Sequence, residues 1–132
     1  MVPRAHTLAG ASVVDFASTL EYDHVGLHES SAIHGFLGQV CAQSNRQLKL
    51  RIQVGNFEAA CRMIEVAVGV AIVPESVARR HALTMDIAIV PLSDSWAIRS
   101  MQICMRSFKA LPGFARELVD LLAEDARSVH EV

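Results

Sequence analysis

Six histidines, three cysteines and a scatter of hydroxyl and amide residues are the groups with chemistry to offer in this 132-residue chain. His28-Glu29 opens like the H-E-x-x-H of zinc hydrolases, in which two imidazoles one helical turn apart hold the metal. The fourth residue after His28 is Ala32 and His34 falls two positions too late, so the spacing excludes that site. His24 and His28 are four apart, but on a strand and its loop, with no partner at ligand spacing; no metal or other cofactor is expected. Cys41 and Cys61 each lie on the apolar stripe of a helix, where burial keeps a thiol protonated and unreactive. With Cys104 they read as buried, reduced thiols, the state of a reducing cytoplasm. G-x-G-x-x-G, G-x-x-x-x-G-K-[ST] and G-x-S-x-G are all missing, so dinucleotide, phosphate-loop and hydrolase-elbow chemistry have no footing. An enzyme is not expected.

Three loop ends remain, and they suit binding better than catalysis. His28, Ser30 and Ser31 follow one apolar strand. Asn56 and Phe57 follow a second, and Val73 and Pro74 a third. In an open α/β sheet ligands lie beyond the carboxyl ends of the strands, where loops run into helix N-termini with unbonded N–H groups. Hydroxyl and amide side chains there can cradle a carboxylate, and Phe57 can supply an apolar wall. Capping alone also accounts for Ser31 and Asn56. What favours a site is the convergence of three loops on one edge.

The elements that must position these loops follow from periodicity. His24–Leu27 reads as a strand. Ile33, Phe36, Leu37, Val40 and Cys41 fall at i, i+3, i+4, i+7 and i+8, a helix capped by Ser30 or Ser31. Leu48, Leu50, Ile52 and Val54 alternate with Lys49, Arg51 and Gln53, a strand with one wet side. Phe57, Ala60, Cys61, Ile64 and Val68 make a second helical stripe, with Gly69 to close it. Val70–Val73 is wholly apolar, as in a buried parallel strand. Pro74 opens a short helix to about His81, and Ile87–Leu92 and Ile98–Met105 read as strands, the second with Met101, Ile103 and Met105 on one face. Pro112 opens a last helix with Phe114, Leu118, Leu121 and Leu122 on one side, and the tail from Ser128 frays. The first twenty residues show no strong period beyond one helical turn at Asp15–Leu20. The order β-α-β-α-β-α-β-β-α predicts an α/β fold with a mostly parallel sheet.

Composition agrees. Hydrophobic residues are 52%, charged residues 20%, and the net charge is -2, without runs of like charge. Such a chain folds around a core and offers no concentrated basic face for phosphates. Aromatic residues, at 5%, are too few for a base-stacking platform. The N-terminus, Met1 to His6, lacks the apolar core of a signal peptide, and the longest apolar run, Val66 to Pro74, is far too short to span a bilayer, so a soluble, cytoplasmic domain is expected.

The stretch Leu48 to Ile64, LKLRIQVGNFEAACRMI, followed by Val68 to Glu75, VGVAIVPE, resembles the effector-binding domain of LysR-type transcriptional regulators. His6-Thr7-Leu8-Ala9 is similar to that family's His-Pro-Leu-Ala segment, with Thr7 in place of proline. Asp23 to Leu27 resembles the strand that enters the second lobe, and Pro91 to Ala97 with Met101 to Arg106 fits the return segment. The resemblance covers nearly the whole chain in order. It implies a type 2 periplasmic-binding-protein-like lobe, with residues 1–22 ending the first lobe, 23–106 forming the second and 107–132 a helix returning toward the first. It implies a small organic effector, and DNA contact only through a helix-turn-helix that these residues do not contain. His28, Ser30, Ser31, Asn56, Phe57, Val73 and Pro74 would then be the second lobe's side of the ligand cleft. The last helix would lack the surface it packs on, so a homodimer is expected, or that helix folded on its own body. A free-standing binding or dimerisation module of the same fold is the alternative.

Overall fold

The computed structural model describes residues 1–99 and 102–129. They divide into two compact units, Met1–Ile98 and Arg99–Val132. The first unit carries β1 (Val2–Pro3), α1 (Phe16–Thr19), β2 (His24–Leu27), α2 (Ala32–Gln43), β3 (Leu50–Val54), α3 (Phe57–Glu65), α4 (Glu75–Ala82) and β4 (Ile87–Ala88). Residues Thr7–Gly10 and Ser95–Ala97 form short 3-10 turns.

Two ladders make the sheet. β2 pairs with β3 in parallel, Leu27 opposite Val54, and β1 pairs with β4 antiparallel, Val2 opposite Ala88. Val70 and Ala71 stitch them together. The Val25 N–H donates to the Val70 carbonyl at 2.8 Å and the Val70 N–H to Asp23 at 2.9 Å. On the other side Ala71 donates to Met1 at 3.0 Å, and the Met1 ammonium donates to the Ala71 carbonyl at 2.9 Å. The lateral order is therefore β3, β2, residues 70–71, β1, β4. The strand expected over Val70–Val73 is thus one parallel bridge to His24. Pro74, which has no N–H to extend a ladder, stands just beyond. β1 itself, hidden in a segment without period, was not expected.

α3 lies at the centre of the packing. Its Ala60, Cys61 and Ile64 are buried against Val25 of β2, Ala71, Ala78 of α4 and Ile87 of β4. Burying a residue such as Ile64 contributes about 1.5–3 kcal/mol. A second cluster joins Phe16 and Leu20 to Leu37 and Cys41 of α2, and there Trp96 stands edge-on to Phe16 at 5.4 Å and Phe36 at 5.3 Å. α3 does not end at Gly69 as expected. It stops at Glu65, and Ala67 takes the left-handed turn, with φ 58°, while Val68 N–H returns to the Met63 carbonyl.

In the second unit, residues 102–105 form no strand, contrary to expectation, and Met101 lies outside the described residues. Nothing described pairs with this segment, so Ile103 and Met105 are exposed; Cys104 is exposed too, not buried as its apolar neighbours suggested. α5 (Gly113–Val129) follows Pro112, whose carbonyl accepts from Ala115 and Arg116. Phe114, Leu118, Leu121 and Leu122 form the expected stripe and are exposed. The fraying expected from Ser128 falls partly on α5 itself and partly on residues 130–132, outside the described residues.

Candidate functional site at the carboxyl ends of the strands

Parallel pairing brings two of the three loops together. Leu27 and Val54, the last residues of β2 and β3, stand opposite each other, and His28 N–H donates to the Val54 carbonyl at 3.1 Å. Each loop then runs into a capped helix. Ser31 Oγ accepts from the His34 N–H at 3.3 Å to start α2, and Asn56 Oδ1 accepts from the Ala59 N–H at 2.8 Å to start α3. These caps satisfy the third N–H of each helix. The first two, on Ala32 and Ile33 and on Phe57 and Glu58, have no intrahelical partner and are available to an anion.

His28 is exposed, and its Nδ1 accepts from the Ser30 N–H at 3.3 Å with the Ser30 hydroxyl 3.0 Å away. A nitrogen that accepts from the backbone leaves the proton on Nε2, so the imidazole presents a donor outward. Phe57 and Val73 are half-buried and line a narrow cleft of about 20 Å³, together with Leu27, His34 and Leu37. Pro74 is exposed at the start of α4, where its carbonyl, not its side chain, accepts from Val77 and Ala78. The structure thus gathers His28, Ser30, Ser31 and Asn56 on two neighbouring loops, with Phe57 and Val73 in the cleft; Pro74 lines neither.

Two residues not foreseen belong with them. Gln53 Nε2 donates to the Leu27 carbonyl at 3.3 Å and lies 3.4 Å from His34 Nδ1, linking β2, β3 and α2 at the cleft. The signal was present in the pattern: Gln53 is on the wet side of an alternating strand next to its carboxyl end, and His34 is three residues after a capping serine.

The cleft admits one small group, since about 20 Å³ is close to the space of a single water. His24, at the floor, is buried, with Nδ1 3.0 Å from the Tyr22 carbonyl and Nε2 3.3 Å from the Thr19 hydroxyl. Burial pushes its pKa down, and the Tyr22 carbonyl opposes only part of that shift. Burial likewise pushes the Cys41 and Cys61 thiols up, away from the thiolate that nucleophilic chemistry requires. Among the described residues no three His, Cys, Asp or Glu side chains gather as a metal site, and no helix is long and apolar enough to cross a membrane.

Comparison with known proteins gives the family and the fold. Residues 1–127 match the family described as the LysR substrate binding domain. Among solved structures, the effector binding domain of QuiR in complex with shikimate is similar, with a TM-score of 0.61 and 21% sequence identity over 70% of this chain. The match spans 43% of the QuiR chain, less than half its length. No curated protein matches. The likeness in structure is one of fold, that of a periplasmic-binding-protein-like domain. Sequence match and architecture lead to one assignment: the chain belongs to the LysR substrate binding domain family.

Proposed function

We propose that this chain is the effector-sensing part of a LysR-type transcriptional regulator, taking a small organic ligand on the loops at the carboxyl ends of β2 and β3. Residues 23–106 are then the second lobe, 1–22 the approach to it and 107–132 the return toward the first. In the whole regulator, ligand held between lobes biases DNA binding by closing them, a change no larger than the ligand's differential affinity for the two states. DNA contact falls to a helix-turn-helix outside these residues, and the setting is a reducing cytoplasm. The observation that carries this reading is the register of Leu27 opposite Val54. It sets two capped helix N-termini side by side above an apolar cleft.

A small cyclic carboxylate suits this arrangement, with its anion on the free N–H groups and its ring toward Phe57. Shikimate, the ligand of the QuiR structure, is a sensible first probe. NMR titration should move the amides of Ala32, Ile33, Phe57 and Glu58 with weak, saturable affinity, because one wall of a cleft supplies only part of the contacts. Shifts scattered over the surface, or turnover of the probe lost on Cys61→Ala or His28→Ala, would contradict the proposal.

A second reading, a free-standing dimerisation or binding module, has α5 in its favour. Four large apolar residues on one exposed helical face are a surface that associates. Light scattering separates the cases: a mass of two chains, reduced to one by Leu118→Glu with Leu122→Glu, is expected if α5 is the contact.

A further inference from the structure

A second cavity, of about 320 Å³, lies at the other end of β2 and owes nothing to the loops just described. Asp23, on its wall, and His28, on the loop after β2, are separated by the length of β2, roughly 16 Å at the usual rise per residue. The cavity is lined by Pro3, His6, Tyr22, Asp23, Arg51 and Val68, among others.

Three features distinguish this hollow from an accidental one. First, Leu50 pairs with His24 and Ile52 with Val25, so Arg51 is an extra residue in the ladder. Such a bulge re-aims the side chain it carries, here onto the cavity wall. Second, the Arg51 guanidinium is held by one nitrogen. Nη1 donates to the Val68 carbonyl at 3.2 Å and reaches Asp23 Oδ2 only at 3.5 Å. Nε and Nη2 have no partner among the described residues, and both side chains of the pair are more than half exposed. Third, an aromatic wall stands beside this pair. His6 and Tyr22 meet edge to face with centroids 4.6 Å apart, and the Thr7 hydroxyl lies 3.3 Å from the Tyr22 hydroxyl, which fixes the rings.

A lone carboxylate would find Arg51 but also Asp23, and a lone amine the reverse. A molecule with both charges on one carbon meets each with its complement. We infer that this cavity is a binding site for a free α-amino acid with an apolar or aromatic side chain: its carboxylate on Arg51, its ammonium on Asp23, its side chain against His6 and Tyr22. The guanidinium fork provides paired donors for a carboxylate, and the loose Asp23–Arg51 contact costs little to open. The volume suffices for one such molecule.

The test is an NMR titration with L-phenylalanine, with hydrocinnamate, which lacks the ammonium, and with phenethylamine, which lacks the carboxylate. L-Phenylalanine should move the amides of Ala5, Tyr22, Asp23, Ala67 and Val68, and each truncated probe should bind at least about tenfold more weakly, the loss expected for one charge-assisted contact. Arg51→Gln should weaken L-phenylalanine about tenfold, and Gln53→Ala, on the effector-facing side, should leave its affinity unchanged. Because Arg51 also holds the Val68 carbonyl, the truncated probes on the unaltered chain decide the matter even where that variant misfolds. Hydrocinnamate binding as well as L-phenylalanine would overturn the assignment, as would shifts confined to residues 28–31 and 55–57. So would the absence of any saturable shift by about 10 mM, where even a millimolar site is filled.

Discussion

Gly69 runs so close to Asp23 that a Cβ at residue 69 would lie 2.4 Å from the Asp23 carbonyl oxygen and 3.0 Å from its carbon. That carbonyl accepts the Val70 N–H, the bond that fastens residues 70–71 to β2. Gly69→Ala must push two backbones apart at this seam. The expected loss is about 2 kcal/mol or more in urea unfolding. Gly26→Ala is the control. The one close approach of its Cβ would be to Leu50 Cδ2, at 2.6 Å, the far end of a flexible and exposed side chain, so the cost should be clearly smaller. Equal losses would refute this account of Gly69.

Ala67 pays for the sharp exit from α3 with a positive φ of 58°. Left-handed backbone crowds any Cβ, and glycine escapes that crowding at the expense of a more flexible unfolded chain. Ala67→Gly should therefore raise stability by about 0.5–1 kcal/mol, with the denaturant midpoint as the measure. A lower midpoint would show that the Ala67 methyl is packed to some purpose.

Acid should destabilise the first unit, and the direction follows from two buried bases. The Met1 ammonium is lowered by burial from 8.0 to about 6, with Cys61 opposing slightly, and the imidazole of His24 is also lowered, again by burial first. An unfolded chain protonates Met1 below pH 8, and the folded one only near pH 6. Stability is therefore complete above pH 8 and falls as pH drops through that window, by about 2–3 kcal/mol for Met1. His24 adds to the loss below its ordinary value of 6.5. Thermal unfolding between pH 5.5 and 8.5 should show a midpoint that rises steadily, and His24→Gln should flatten only the acidic part. A flat profile would sink the argument.

The thiols should separate by rate. Cys104 is exposed, whereas Cys41 and Cys61 are buried and held protonated by that burial. One equivalent of an aromatic disulfide reagent should react promptly in native buffer and the other two only on unfolding. Cys104→Ser should abolish the prompt phase. Two prompt equivalents would mean that one of the core helices opens easily.

How far the sequence discloses this structure depends on the range of the contacts involved. Ile33 to Cys41 and Phe57 to Ile64 repeat at helical spacing, and Ser31 and Asn56 cap where their types predict, because capping is decided within four residues. β2 is legible as a short apolar piece and β3 from apolar alternation. The bulge at Arg51 was not, since register is set by the partner strand. β1 is two residues long and exists only because β4, more than eighty positions away, accepts it. The type and position of Gly69 suggest a helix stop, although the constraint on it comes from Asp23 across a strand boundary. Of the candidate site, the capping residues could be read from type and position. Gln53 and His34 stand at positions the pattern marks, but their pairing is not legible there, because it depends on how α2 lies over β3.

The far ends of the first unit are tied to each other in space. Asp94 accepts the Phe16 N–H at 2.7 Å, Met1 is bonded to Ala71, and Arg4 is paired with Asp86, contacts that close loops of 78, 70 and 82 residues. A chain leaving the ribosome therefore holds β1 and α1 without partners until residues 70–94 are made. The β2–α2–β3 crossover unit can collapse earlier, but Val2 and Phe16 must wait. Folding dominated by such distant closures is slow, and it waits for residues 70–94. The one tryptophan, wedged between Phe16 and Phe36, reports that last closure directly, through the change in its emission as the ends meet.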